Sequence, residues 1–289
     1  ITVEDVTVDE AMGLVTLRNM PGVDNLDFSI AGDESLSDLS VMQATAAVEA
    51  TNVVAGDVSV KDFAGMIVSA GYDMPETTSI DLAAVQQVTV MTDPAADEDL
   101  TTYPTLASVA DVIELNGSVT LLVDQAGLTL TGPGSYSVFD TADAIEGAVT
   151  NDSAGVLDSA TTITAGDGVD LNLTVAEYKQ IADGDTTLSS GYYISDTADN
   201  IEAEISADGS SLGVLSGAQS VTSTDEAITL TMAGADALLG STTVATDYEV
   251  VDDASAFLPT PNMATLMGAV SITVEDASVD QAIEHVGKV

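Results

Sequence analysis

The chain has no cysteine, no tryptophan and very few cations. Without cysteine there can be no disulfide, no thiolate metal site and no thiol nucleophile. Four basic residues, Arg18, Lys61, Lys179 and Lys288, face 48 acidic ones, for a formal net charge of −44. A surface of that sign repels phosphate backbones and anionic lipid, so no nucleic-acid partner and no membrane-surface partner is expected. The single histidine, His285, leaves nothing from which to assemble a Ser-His-Asp or Cys-His set. No G-x-S-x-G, P-loop or H-E-x-x-H motif occurs, and the chain is expected not to be an enzyme. No run of 18 apolar residues is present, so no membrane insertion is expected.

What is present is small and aliphatic. Hydrophobic residues make up 45% of the 289, mostly Ala, Val, Leu and Ile, with aromatics at 4%. That is enough apolar side chain to fold despite the charge, and it suits thin regular layers. The carboxylates have too few cations to pair with. They must be solvated, screened by salt or bound to cations, and calcium is the natural candidate for such hard oxygen ligands.

One pattern recurs at a fixed interval. Tyr136-Ser137-Val138-Phe139-Asp140-Thr141-Ala142-Asp143-Ala144-Ile145 returns as Tyr192-Tyr193-Ile194-Ser195-Asp196-Thr197-Ala198-Asp199-Asn200-Ile201. It returns again, weaker but at the same interval, as Tyr248-Glu249-Val250-Val251-Asp252-Asp253-Ala254-Ser255-Ala256-Phe257. A constant period of about 56 residues signals a repeat architecture. Tyr192 and Ile194 alternate as in a strand. Asp196, and Asp140 in the earlier copy, are expected to N-cap a helix whose face is Ala198, Ile201 and Ile205. Gly209, Gly213 and Gly217 punctuate the loop that follows. Recurring Tyr136, Tyr192 and Tyr248 are expected to pack between repeats rather than to form an outer binding ladder.

A second half follows each box. Ile163-Thr164-Ala165-Gly166-Asp167 leads to Leu171-Asn172-Leu173 and then Thr174, which has capping-box spacing to Glu177. Val221-Thr222-Ser223-Thr224-Asp225 leads likewise to Ile228-Thr229-Leu230. Each repeat therefore reads strand, short helix, strand, short helix. Ile1-Thr2-Val3-Glu4-Asp5 has the same form and recurs toward the other end of the chain as Ile272-Thr273-Val274-Glu275-Asp276. Asp9 and Asp280 are the expected N-caps after these two strands. Strands are also expected at 26–30, 87–91 and 118–123, with a helical turn capped by Ser108 and Asp111. Because Ile1 falls inside a repeat, the chain is expected to be a processed product or a segment of a longer polypeptide.

Short strands alternating with short helices imply parallel pairing through right-handed crossovers. Repeated at constant period, they predict an α/β repeat solenoid, with tandem β-sandwich modules as the alternative. The expected division is a trailing half-repeat at 1–22, degenerate repeats with an acidic insertion at 23–134, and repeats at 135–191 and 192–247. A last, partly degenerate repeat occupies 248–289.

The Tyr-x-Ile-x-Asp-Thr-Ala-x-x-Ile box, with its following Ile/Val-Thr-x-x-Asp and Leu-Thr-x-Ala, resembles repeats of giant secreted surface proteins of Gram-negative bacteria. These include S-layer-like, adhesin and RTX-like extracellular proteins. The resemblance covers residues 135–250 and implies an extracellular or cell-surface structural protein. The Gly-Gly-x-Gly-x-Asp nonapeptide of RTX proteins is absent, so their calcium roll does not carry over.

The candidate metal ligands are acidic turns. They are Asp93, Asp97, Glu98 and Asp99 in the insertion, Asp167 with Asp170, Asp225 with Glu226, and Asp252 with Asp253. Asp is also favoured in turns and caps for purely local reasons. The functional expectation is a structural protein that assembles head to tail with itself into a filament or surface layer, stabilised by calcium. A stalk segment of a repetitive adhesin is the alternative. A polysaccharide-active enzyme stands behind both, because 48 acids place carboxylate pairs together by chance.

Overall fold

The computed structural model describes residues 1–21, 23, 26–71, 80–151, 154–182, 186–257 and 262–275. The fold is mixed α/β, with short parallel sheets and no closed barrel among the described residues. The chain forms two compact units. One holds Ile1–Phe139 with Ser159–Thr162, the other Asp140–Asp158 with Ile163–Val289.

The first unit runs β1 (Thr2–Val6), α1 (Val8–Arg18), β2 (Asp27–Ile30), α2 (Val41–Val48), β3 (Ser59–Phe63), α3 (Ala64–Gly71) and β4 (Gln87–Met91). It continues through β5 (Glu98–Asp99), β6 (Val112–Glu114), β7 (Ser118–Leu121), α4 (Val123–Ala126), β8 (Thr129–Thr131) and β9 (Ser135–Asp140). Strands β3, β4, β6 and β8 lie side by side in that order, β7 lies between β5 and β9, and β1 pairs with β2. Every register is parallel: Ser59 opposes Gln87, and Val112 opposes Thr129. A parallel pair needs a crossover between its strands, and each of these returns has room for a short helix or a tight turn.

The second unit runs α5 (Ala142–Thr150), β10 (Thr162–Ala165), β11 (Leu171–Leu173), α6 (Val175–Ile181), β12 (Thr187–Leu188), β13 (Tyr192–Asp196) and α7 (Ala198–Glu202). After these come β14 (Ser220–Ser223), β15 (Ile228–Leu230), α8 (Met232–Ser241), β16 (Thr243–Val244), β17 (Tyr248–Asp253), α9 (Met263–Gly268) and β18 (Ser271–Glu275). Two parallel sheets, β11-β13-β14-β16 and β15-β17-β18, carry the box strands β13 and β17 inside them. No antiparallel register occurs among the described pairs of either unit, which removes the packing on which the sandwich alternative depends.

Alternation decides which side chains form the core. Tyr192 and Ile194 of β13 point inward, with Val221 of β14, Ile228 and Leu230 of β15, and Val250 of β17. Helices add one narrow stripe each, such as Ala198 and Ile201 on α7. Ile205, expected on that stripe, lies beyond the end of the helix and is half-buried.

Several local expectations shift by a residue or more. The N-caps of α5 and α7 are Thr141 and Thr197, not Asp140 and Asp196, because each threonine hydroxyl accepts the N–H three residues on. Thr7 rather than Asp9 caps α1, with Glu10 closing a capping box. Asp280 lies outside the described residues. The turn expected to start at Ser108 is a 3-10 turn that ends there, Leu106–Ser108, and strand β6 follows. Strand β7 stops at Leu121 because Val123-Asp124-Gln125-Ala126 turns into α4. Each full repeat also holds two more strands than expected: in the first, β10 and β11 are separated by a tight turn before α6, and the short β12 follows that helix. Gly209, Gly213 and Gly217 do sit in a loop, with φ of 67°, 48° and 108°, a region that side chains disfavour. Replacing Gly209 by Ala is expected to destabilise the second unit by about 1–2 kcal/mol in urea unfolding.

Candidate functional site

The chemistry of this molecule is its carboxylates, and the structure shows what many of them do. A helix leaves its first amides without intrahelical acceptors. Here the first turn is served twice. A threonine or serine immediately before the helix takes the third amide: Thr7, Ser40, Thr141, Thr174, Thr197 and Thr231 all do so. The first amide is taken by an acid from much further along the chain.

That second bond is systematic. Val8 N–H donates to Glu34 at 3.2 Å, and Val41 N–H to Asp62 at 3.0 Å. Ala142 N–H donates to Asp167 at 3.2 Å, Val175 N–H to Asp196 at 2.9 Å, Ala198 N–H to Asp225 at 2.9 Å and Met232 N–H to Asp252 at 3.0 Å. The acids stand 20 to 27 residues after the amides they serve. Most arrive at or just past the end of a following strand, so the parallel return that builds the sheet also delivers an anion to the positive end of the helix. The one exception in origin is Glu34, which lies well past the end of β2 in a loop.

Asp196 is the most committed of these groups. It is buried, and besides Val175 it accepts from Thr197 N–H at 2.8 Å and from Asn200 Nδ2 at 2.8 Å. Asp62 is also buried and accepts from Phe63 N–H at 2.9 Å in addition to Val41.

Glutamates protect strand edges in a related way. Asn172 N–H at the edge strand β11 donates to Glu146 of α5 at 2.5 Å, and Thr229 N–H of edge strand β15 donates to Glu202 of α7. These two glutamates are spaced by the period of the box and stand at equivalent places in the repeat. An exposed row of unpaired strand amides invites pairing with another chain, and each glutamate occupies one amide of such a row.

Three of the ten expected metal ligands belong to the same scheme. Asp167, Asp225 and Asp252 serve helix amides as above. Asp93 closes a turn by accepting from Ala95 N–H at 2.8 Å, while its own N–H donates to Glu98 at 3.0 Å. Asp99 caps the 3-10 turn Leu100–Thr102 through Thr101 N–H at 3.0 Å. Asp170 accepts from the Tyr193 hydroxyl at 3.0 Å, which raises the tyrosine pKa by that bond and by the neighbouring charge. Glu226 donates its N–H to Asp225, and Asp253 donates its N–H to Asp252. Asp97 lines an open polar depression of about 450 Å³ with Pro94, Asn116, Gly117, Pro133 and Ser135. Among the described residues no three His, Cys, Asp or Glu side chains are grouped as metal ligands.

No family model, curated protein or solved structure matches the chain.

The recurring tyrosines are internal. Tyr136, Tyr192 and Tyr248 are all buried. The Tyr192 hydroxyl donates to Val214 O at 3.0 Å, and that of Tyr248 to Thr265 O at 2.6 Å. Burial drives the pKa of both upward, with the neighbouring Tyr178 adding to it at Tyr192. Cations are scarce and engaged: Arg18 pairs with Glu49, Lys61 with Glu114 and Lys179 with Glu204. The hydrogen bond between Lys61 and Glu114 raises the lysine pKa and lowers that of the glutamate. His285 and Lys288 lie outside the described residues.

Glu34, Asp62, Glu146 and Glu202 carry no direct sign in the sequence. Of these four only Asp62 stands at a strand end 20 to 27 residues after the helix start it serves, the placement shared by Asp167, Asp196, Asp225 and Asp252.

A pH dependence follows. The Ala198 amide, first among its donors, holds Asp225 below the usual aspartate pKa, and Ser210 holds Asp208 at about 2. Both carboxylates are therefore better accommodated in the folded chain than in the unfolded one. Their contribution is complete above the ordinary aspartate pKa and is lost as pH falls toward about 2. Asp225→Asn should flatten the acid limb of a urea-midpoint profile below about pH 4 and leave its slope near pH 7 unchanged. An unchanged acid limb would show that this carboxylate does not cap in solution.

Proposed function

We propose that this protein is a structural, extracellular or cell-surface protein whose stacked α/β repeats form a solenoid and associate head to tail into a filament or layer. The observation that carries the reading is the repeated hydrogen bond beside the box. Thr161 N–H donates to Tyr136 O at 2.8 Å, Gln219 N–H to Tyr192 O at 2.8 Å and Val270 N–H to Tyr248 O at 2.9 Å. Three successive boxes thus hand on to the next strand through the same atoms, as nearest-neighbour stacking requires. Carboxylates committed to helix amides and strand edges further support a scaffold over a catalyst. The recurrence of the Ile-Thr-Val-Glu-Asp strand at residues 1–5 and 272–276 is also what a longer tandem stalk would contain, and this keeps the adhesin reading as the alternative.

Light scattering and electron microscopy of the full chain test the proposal. Polymers or lattices that grow with protein concentration are expected, and monomers alone, with and without calcium, would overturn it.

Calcium enters the proposal as counter-charge that lets molecules of net charge −44 approach one another. Raising NaCl from 0.01 to 1 M shortens the screening length from about 30 Å to about 3 Å, so the melting temperature should rise with salt. At matched ionic strength, about millimolar calcium should promote assembly more than sodium does. Equal assembly in the two salts would remove calcium from the proposal.

A further inference from the structure

The three box strands are paired alike but are not flanked by the same side chains. Val119 opposes Tyr136, Leu171 opposes Tyr192 and Ile228 opposes Tyr248. The amides that donate to the three tyrosine carbonyls belong to Thr161, Gln219 and Val270. These registers make four positions equivalent beside each box. At the first box they hold Ser118, Ser135, Ser137 and Thr161, and at the third Ala227, Asp247, Glu249 and Val270. At the second they hold Asp170, Gly191, Tyr193 and Gln219. Strand pairing is the same at all three, so it does not need the aromatic ring, the carboxamide or the glycine of the second box.

Those groups converge. The Tyr193 hydroxyl donates to Asp170 Oδ2 at 3.0 Å, which holds the ring in one orientation while 37% of the residue stays exposed. A Cβ at Gly191 would collide with both Asp170 Oδ1 and Gln219 Nε2, so the bare backbone there lets the carboxylate and the carboxamide come together. Asn172, Tyr193, Ser220 and Thr243 stand in register across β11, β13, β14 and β16. Asn172 and Gln219 are exposed, and among the described residues neither carboxamide has a hydrogen-bond partner. With Ser195 and Thr222, the four in register make up the outward positions of this sheet, and none is charged. In a chain with 48 acidic residues that is a local departure, since the neighbouring sheet presents Glu249 and Asp253 at the outward positions of β17.

We propose that the outer face of β11-β13-β14-β16 binds a neutral polysaccharide, with Tyr193 as the platform for a pyranose ring and Asp170, Asn172 and Gln219 as partners for its hydroxyls. A pyranose carries weakly positive C–H bonds on its faces and hydroxyls around its rim. The negative face of the tyrosine ring attracts the first. Asp170 accepts from hydroxyls through charge-assisted bonds, and the two carboxamides offer both donors and acceptors to the rest. Because the hydroxyl bond to Asp170 already orders the ring, less conformational freedom is lost when a sugar binds. The net charge of −44 repels an anionic polysaccharide, and the uncharged row leaves a basic peptide a single carboxylate to pair with. The inference goes beyond self-assembly and applies equally to a filament, a layer or an adhesin stalk.

Affinity electrophoresis and titration calorimetry of the full chain test it, with glucan, mannan, galactan and xylan and their hexasaccharides as probes. At least one of these neutral probes should bind. Tyr193→Ala should then weaken binding about tenfold or more, as for an aromatic anchor, and Tyr193→Phe less, because it keeps the ring. Gly191→Ala leaves every contacting group in the chain but forces Asp170 and Gln219 apart, and it should weaken binding about as much as Gln219→Ala. Thr229→Ala, on the neighbouring sheet, should bind as the parent does. Unchanged urea midpoints in the same variants show that the fold is intact. Failure of every neutral probe to bind, binding that survives Tyr193→Ala, or binding confined to polygalacturonate or polylysine would overturn the proposal. So would a Tyr193→Ala chain that keeps its sugar affinity and loses self-assembly, which would assign the face to a second copy.

Discussion

Asp196→Ala is expected to lower the stability of the second unit by about 3 kcal/mol, because it leaves buried Val175 N–H without an acceptor and strips Thr197 N–H and Asn200 of theirs. The magnitude follows from an asymmetry. Making such a bond gains little net over water, but orphaning a buried donor costs about 1–3 kcal/mol, and the replaced acceptor was charged. The melting transition of that unit should drop by about 6–12 °C. Asp196→Asn keeps one carbonyl acceptor and should cost about half as much. Asp170→Ala removes a carboxylate of similar type whose one described partner is the half-exposed Tyr193 hydroxyl, and it should stay within about 0.5 kcal/mol of the parent. Amide exchange at Val175 gives a local readout, since it should accelerate in Asp196→Ala and not in Asp170→Ala. Equal effects from the two aspartate variants would show that burial, not bonding to the helix before it, fixes the role of Asp196.

How much of this arrangement is legible in the sequence depends on the distance between partners. Thr174 and Glu177 form the capping box that their spacing announces, because such a box is local to one helical turn. The strand at 87–91 is legible from alternation alone, and β4 occupies those residues. The first-amide caps are not legible in this way. Asp196 and Thr197 are adjacent and both are good capping types, so sequence alone favours the first of them. The structure gives the local role to Thr197, whose hydroxyl reaches Asn200 N–H, and turns Asp196 toward a helix that begins 21 residues earlier. Nothing in the local sequence separates these two assignments. The same reason explains the acidic turns. Asp167, Asp225 and Asp252 read from sequence as acidic turns with local donors one or two residues away, and the helix amides they also serve lie one return of the chain away, out of sight of any local pattern.

The split by distance also explains why the box matters more than any single residue in it. Helix amides, strand-ending acids and edge-blocking glutamates meet only if each return of the chain has the right length, and the constant spacing of Glu146 and Glu202 preserves that length. A net charge of −44 is then less extravagant than it looks, since a share of the anions serves as hydrogen-bond acceptors inside the fold. The remaining anions face solvent and make association between copies depend on salt.

Tyr192 tests whether the box is an internal joint. Tyr192→Ala is expected to cost about 4 kcal/mol, the range for deleting a buried aromatic ring, and Tyr192→Phe about 1 kcal/mol, the value of one hydrogen bond. The ring packs against Tyr178 at 4.6 Å between centroids, and its hydroxyl donates to Val214 O in the tight turn Gly213–Leu215. Losing the ring therefore removes core volume and the tie to that turn together, whereas losing the hydroxyl removes only the tie. A urea series on both variants, with the same pair made at exposed Tyr193, separates the alternatives. An internal joint predicts the steep order Tyr192→Ala, Tyr192→Phe, then either Tyr193 variant near the parent. An outer binding ladder predicts small, equal stability effects at Tyr192 and Tyr193. Burial of Tyr136 and Tyr248 extends the expectation to Tyr248→Ala, whose parent hydroxyl reaches Thr265 O in α9, so the loss there should also loosen the helix that leads into β18.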